Sequence, residues 1–125
     1  MFTPHLHFSG ECYQAMEMYV KAFDATIKEI IFIDKEKPEK GVLHGEILIH
    51  GQRIMLNDNR SEDCDIAFPY VQLVVVFENE VDLKKAFEIL KDEQKVICPM
   101  KSTSFTSCTV GFWDKYGIRW GFMVE

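Results

Sequence analysis

The feature that most restricts this chain is a repeated order of hydropathy patterns within 125 residues. An alternating stretch, a stretch of helical period and three further strand-like stretches occur once over about residues 1–57 and again over about 70–125, with a polar linker at 58–69. Each copy reads as βαβββ. Identity between the copies is negligible, so it is the order of elements that repeats. One helix covers only one side of a small sheet, and the other side must meet a second sheet, a partner chain or a ligand. The expectation is an α+β chain, one domain over 1–125, in which two βαβββ modules close around a small-molecule cavity.

In the first copy, Leu6 and Phe8 alternate with His5 and His7, which predicts a half-buried strand. Ser9 is the expected helix cap. From Cys12 to Phe23 the apolar positions Cys12, Ala15, Met16, Tyr19 and Phe23 recur in steps of three and four, which predicts an amphipathic helix. Residues 26–33 read as a strand and the charged 34–41 as a loop. Over 42–50, Ile47 and Ile49 take one face and His44, Glu46, Leu48 and His50 the other, and a hairpin leads into 53–56. In the second copy, 70–78 reads as a strand. Residues 80–91 read as a helix burying Val81, Leu83, Ala86, Phe87 and Leu90. Residues 95–98 form a strand stopped by Pro99, and strands at 106–113 and 118–124 flank the turn Asp114-Lys115-Tyr116-Gly117. Trp120 is expected in the core.

Apolar residues make up 47% and charged residues 27% of the chain, an ordinary globular balance. The net charge is −6 and the basic residues are scattered, which argues against a nucleic-acid partner. No apolar run approaches the roughly 20 residues of a membrane span, so no membrane partner is expected. The opening MFTPHLHFSGE has no basic region followed by an apolar one, and no signal peptide is expected. Cys12, Cys64, Cys98 and Cys108 lack paired short spacing, so neither a zinc knuckle nor a redox pair is expected. Reduced, mostly buried thiols in a cytoplasmic protein fit them.

Several segments resemble a known family. Pro4-His5-Leu6-His7-Phe8-Ser9-Gly10, followed by Ala15-Met16-Glu17-Met18-Tyr19 and Ala22-Phe23, is similar to the opening of PhnB-like proteins. His44-Gly45-Glu46-Ile47 with Gly51 and Leu56-Asn57-Asp58, then Cys98-Pro99-Met100, then Trp113-Asp114-Lys115-Tyr116-Gly117-Ile118-Arg119-Trp120, continue the likeness over nearly the whole chain. These proteins belong to the vicinal oxygen chelate superfamily, which includes glyoxalase I, bleomycin-resistance and fosfomycin-resistance proteins, and extradiol dioxygenases. The resemblance implies a glyoxalase/bleomycin-resistance-like fold, a curved eight-stranded half-barrel with the site on its concave face. In many members one side chain from each of four strands binds a single divalent metal, and many members form a homodimer. Some relatives carry the name of a ubiquinone methyltransferase. That chemistry is not expected here, because no glycine-rich strand-to-helix loop is present to hold a methyl donor.

His5 and His7 are metal-ligand candidates as neutral imidazoles, with hydrogen-bonded or exposed histidines as the plain alternative. The resemblance implies Glu46 as a further ligand, and His44 lies on the same face. Glu46 or His44 is also the candidate proton carrier. Carboxylate plus imidazole suits Zn, Ni, Mn or Fe. Gln72 stands where metal-binding relatives place a histidine, and Gly121 where they place the glutamate, so a metal-free site fits as well. Substrate-binding candidates are Gln72, Arg119, Tyr70 and Trp113, and Arg119 inside a cavity would favour an anionic ligand. Phe68, Phe105, Phe112, Tyr116 and Trp120 are further aromatics for a lining or a core. The Ser/Thr-rich 101–109 reads as a lid or as a plain loop. Three functions stay open. One is a divalent-metal-dependent enzyme of lyase, isomerase or dioxygenase type acting on a small oxygen-rich substrate. The others are a metal-free ligand-sequestering protein and a structural dimer.

Overall fold

The computed structural model describes residues 3–58, 72–104 and 106–125. Two compact halves emerge, each a four-stranded mixed sheet with one helix. The first half comprises β1 (His5–Phe8), α1 (Cys12–Phe23), β2 (Thr26–Phe32), β3 (Val42–Ile49) and β4 (Gln52–Asp58), with a short 3₁₀ turn at Pro38–Lys40. Its strand order is β1-β4-β3-β2, and only β1 runs parallel to its neighbour. The second half comprises β5 (Leu73–Phe77), α2 (Glu80–Ile89), β6 (Lys95–Lys101), β7 (Thr109–Trp113) and β8 (Arg119–Val124) in the order β5-β8-β7-β6. The βαβββ order expected from the sequence is present in both halves.

In the first half α1 buries Cys12, Ala15, Met16, Tyr19, Ala22 and Phe23. Against this face lie Leu6 and Phe8 of β1, Ile47 and Ile49 of β3, and Ile54 and Leu56 of β4, all buried. Each such side chain contributes roughly 1.5–3 kcal/mol by leaving water. Helix and sheet can approach closely because residue 45 is glycine: a Cβ there would stand 2.8 Å from Met16 Sδ. The expected Ser9 cap is not what starts α1. Asp58 Oδ1 accepts from the amides of Gly10 (2.7 Å) and Cys12 (3.0 Å), and its Oδ2 accepts from Val42 (2.8 Å). A charged carboxylate at the end of β4 satisfies amides that a neutral hydroxyl would hold more weakly.

In the second half Asn79 caps α2 by accepting from the Asp82 amide at 2.9 Å. Leu83, Ala86 and Leu90 are buried as expected, and the Phe87 ring stacks edge-on against Phe112. Val81 departs from expectation and is 75% exposed. It stands two positions before Leu83, a rotation of about 200° that carries it to the outer side of the helix. Nor does Pro99 end its strand. β6 continues to Lys101 with register slips on either side of Cys98, which a proline tolerates because β6 is an edge strand. Trp120 is buried as expected and also makes a polar contact. Its Nε1–H donates to Asp114 Oδ2 at 2.8 Å, while Asp114 Oδ1 accepts from the amides of Tyr116 and Ile118 and so builds the turn before β8. The strand expected from residue 106 begins at Thr109. Thr106 instead donates its hydroxyl to the Val124 carbonyl at 2.7 Å, tying the described end of the expected lid to β8.

Among the described residues no helix is long and apolar enough to cross a membrane. Of the three described cysteines Cys12 and Cys108 are buried, as expected, and Cys98 is exposed, while Cys64 lies outside the described residues. Burial, with Asp58 adding to it, pushes the Cys12 thiol up to about 12, so it stays protonated and inert.

Candidate functional site

The face of the first sheet turned away from α1 carries the candidate histidines and acids. On β1 the exposed positions are His5 and His7, with their rings 4.3 Å apart between centroids. β4 sets His5 opposite Met55 and His7 opposite Asn57, and His7 Nδ1 lies 2.8 Å from Asn57 Oδ1. β3 sets Glu46 opposite the same Met55, and β2 sets Glu29 opposite Glu46. One row across all four strands therefore reads His5, Met55, Glu46, Glu29. His44 precedes Glu46 by two residues on the same face, and its Nε2 lies 3.1 Å from Glu46 Oε1. Arg53 on β4, opposite Leu48, reaches diagonally to donate from Nη2 to that same oxygen.

Glu46 is 5% exposed and is the one buried acid of this face. The Arg53 guanidinium, and after it His44, hold its carboxyl down to about 2 against the opposing effect of burial. Arg53 is raised in turn, chiefly by its bond to Glu46. Glu46 is thus a fixed anion at neutral pH. A group that weakly basic carries protons poorly, because a general base works best with a pKa near the operating pH. His5 is lowered by desolvation first and then by His7 and His44, which favours the neutral, metal-ligating imidazole. Glu29, His44 and Glu46 each offer a ligand atom within 4.8 Å of the others.

The other candidates share the helix-free face of the second sheet. Trp113 of β7 stands opposite Arg119 of β8, and both are half-buried. Gln72 precedes β5 and lays its amide over Gly121: a Cβ on that glycine would stand 2.6 Å from Gln72 Nε2. Tyr70 and Phe68 fall outside the described residues, as does Phe105. Phe112 belongs to the core, edge-on to Phe87 and Phe122. His50 sits in the β3–β4 turn at φ 50°, away from the strand alternation expected to place it beside His44.

Residues 1–123 match the family model described as 3-demethylubiquinone-9 3-methyltransferase. The chain belongs to that family. Among solved structures it is similar to the PhnB protein from Bacillus cereus, with 28% identity over 99% of this chain and 98% of that one and a TM-score of 0.87. The fosfomycin resistance protein FosX from Listeria monocytogenes has 12% identity, covers 100% and 92%, and has a TM-score of 0.71. A glyoxylase/bleomycin resistance protein/dioxygenase domain from Frankia sp. EAN1pec has 18% identity, covers 99% and 90%, and has a TM-score of 0.72. The fold of this family member is therefore the α+β glyoxalase/bleomycin-resistance-like fold, and the PhnB-like resemblance holds. No curated protein matches the sequence.

The four-strand metal set implied by the resemblance does not fit this member. Its first half supplies His5 or His7 and Glu46, but at the β8 position stands Gly121, which has no ligand atom, and the Gln72 amide fills the space a side chain there would need.

Three residues of the polar face escape a plain reading of the sequence: Arg53, Asn57 and Glu29. Arg53 and Asn57 were detectable, since they alternate with the buried Ile54 and Leu56. Glu29 was not. The β2–β3 register slips by one residue between Ile27 and Glu29, so Ile27 pairs with Ile47 while Glu29 pairs with Glu46. Simple alternation would put positions 27 and 29 on one face.

Proposed function

We propose that this PhnB-like protein binds a small oxygen-rich anion, a carboxylate or phosphonate, on the polar face of its first sheet, with Arg53 as the anchor. The observation that carries this reading is the Glu46–Arg53 pair. A buried, ionised carboxylate holds one nitrogen of a guanidinium whose side chain is 40% exposed. Arg53 is thereby oriented before any ligand arrives, and a planar cation held in place binds carboxylate or phosphonate oxygens with little loss of freedom. His5 and His7 on the adjoining strand add donors. Glu46 also orients the His44 ring on this face.

Methyl transfer, the activity in the family's name, calls for a place to hold a methyl donor. At the β1–α1 link the amides of Gly10 and Cys12 are already taken by Asp58, which speaks against a cofactor cradled there. The homodimer and the cytoplasmic location implied by resemblance and composition are part of the same reading.

Amide chemical shifts followed by NMR during titration with methylphosphonate and with lactate test the anion site. Shifts are expected on β1, β3 and β4, and Arg53→Gln should weaken binding at least tenfold. Absence of shifts with both anions, or unchanged binding by Arg53→Gln, would sink the reading.

A further inference from the structure

We propose that Glu29, His44 and Glu46 form a site for a divalent transition-metal ion, one strand removed from the four-strand set that this chain cannot complete. The inference deepens the anion-binding reading and rests on it for the ligand that would fill the open coordination positions, though not for the ion itself.

The geometry has three parts. The ligand atoms already lie within 4.8 Å of one another. Ligands on a tetrahedral ion with bonds of 2.0–2.1 Å stand roughly 3.3 Å apart, so a small swing of the exposed Glu29 side chain closes the set. The backbone needs no change, because Glu29 and Glu46 are direct cross-strand partners and His44 is two residues from Glu46 on one strand. Next, the two cation-like donors to Glu46 use the same atom. Arg53 Nη2 and His44 Nε2 both meet Oε1, and among the described residues Oε2 of this nine-tenths buried carboxylate accepts no hydrogen bond. An ionised buried carboxylate with a free oxygen is an acceptor for a cation. Finally, the Glu29 carboxylate accepts no hydrogen bond among the described residues and feels Arg53 only through its charge, so it is available to an ion.

The donor set of one imidazole and two carboxylates favours Zn²⁺, Co²⁺, Ni²⁺ or Mn²⁺ over the hard ions Ca²⁺ and Mg²⁺, which prefer all-oxygen shells. Three protein ligands leave at least one position open. An oxyanion could bridge that position and the Arg53 guanidinium, whose charge otherwise opposes the metal.

Cobalt alone is the probe. Titration of the full chain with Co²⁺, followed by visible absorption and calorimetry, should show one ion per chain, a d–d band indicating nitrogen ligation, and no matching uptake of Ca²⁺. Glu29→Gln, an exposed substitution that leaves the fold intact, should weaken Co²⁺ binding at least tenfold, and so should His44→Ala. His5→Ala should change it less than threefold. No Co²⁺ binding by the wild type, or binding that survives Glu29→Gln but is lost in His5→Ala, overturns the proposal. Because no anion is present, a failure here is separate from a failure of the methylphosphonate and lactate titrations.

Discussion

The Gln72 side chain lies over the α-carbon of Gly121, so closely that a β-carbon there would stand 2.6 Å from the amide nitrogen. The two residues depend on each other. The glycine makes room for the amide, and the amide closes the space that a side chain at position 121 would need. Gly121→Ala should therefore displace the Gln72 side chain. The side chain is exposed and flexible, so the cost should be about 1 kcal/mol. Urea denaturation of Gly121→Ala, Gln72→Ala and the double variant checks this. The double variant should be more stable than the sum of the single effects allows, and strict additivity would refute the coupling.

Asp58 joins three segments through three amides, those of Gly10, Cys12 and Val42. Asp58→Ala removes every one of these acceptors, leaving the α1 entry and the start of β3 unsatisfied. A loss of about 3 kcal/mol is expected, since hydrogen bonds to a charged group are the costly ones to lose. Asp58→Asn should retain part of that stability. Chemical denaturation of the three proteins measures the difference, and a loss no larger than that of a surface substitution would contradict the role assigned to this carboxylate.

Glu46 sets an acid limit on folding. Its folded carboxyl is held at about 2, below the ordinary 4.5 of the unfolded chain. Its contribution is therefore complete above the unfolded value and drains away as pH falls from about 4.5 toward 2. The urea midpoint of the wild type should fall on acidification through that window, and Glu46→Gln should flatten the fall. Parallel pH profiles for the two proteins would mean that Arg53 and His44 do not hold the charge.

Trp120→Phe keeps most of the buried ring but strips Asp114 Oδ2 of its indole donor. With Asp114 itself buried, a loss of about 1–3 kcal/mol is expected, and Asp114→Asn should cost less in the Trp120→Phe background than in the wild type. Thermal unfolding of the four proteins of this cycle supplies the comparison.

Much of the fold was legible because its elements obey simple periods. The α1 stripe and the Leu6/Phe8 against His5/His7 alternation were read from spacing and appear with the same residues. The misreadings share a cause: a tertiary neighbour overrides a local rule. The N-cap position falls on Glu11 and not on Ser9, and Asp58 accepts the Cys12 amide from 46 residues away. Pro99 stays within a strand because among the described residues β6 is the edge of its sheet. At the candidate site His5, His7, His44 and Glu46 could be read from the alternation of their strands. Glu46 looked like a base, and only the neighbouring Arg53 shows why it is a fixed anion. The Gln72–Gly121 contact needs the pairing of β5 with β8, two strands far apart in sequence.

The slip at Lys28 has a wider meaning for this sheet. Upstream of it, β2 gives Ile27 to the helix side; downstream, with parity reversed, it gives Glu29 to the open face. A strand built this way is a vernier. Gaining or losing one residue can exchange which side chains reach the open face, with no other residue of that face rewritten. The chemical character of this face is encoded in chain length as much as in residue identity.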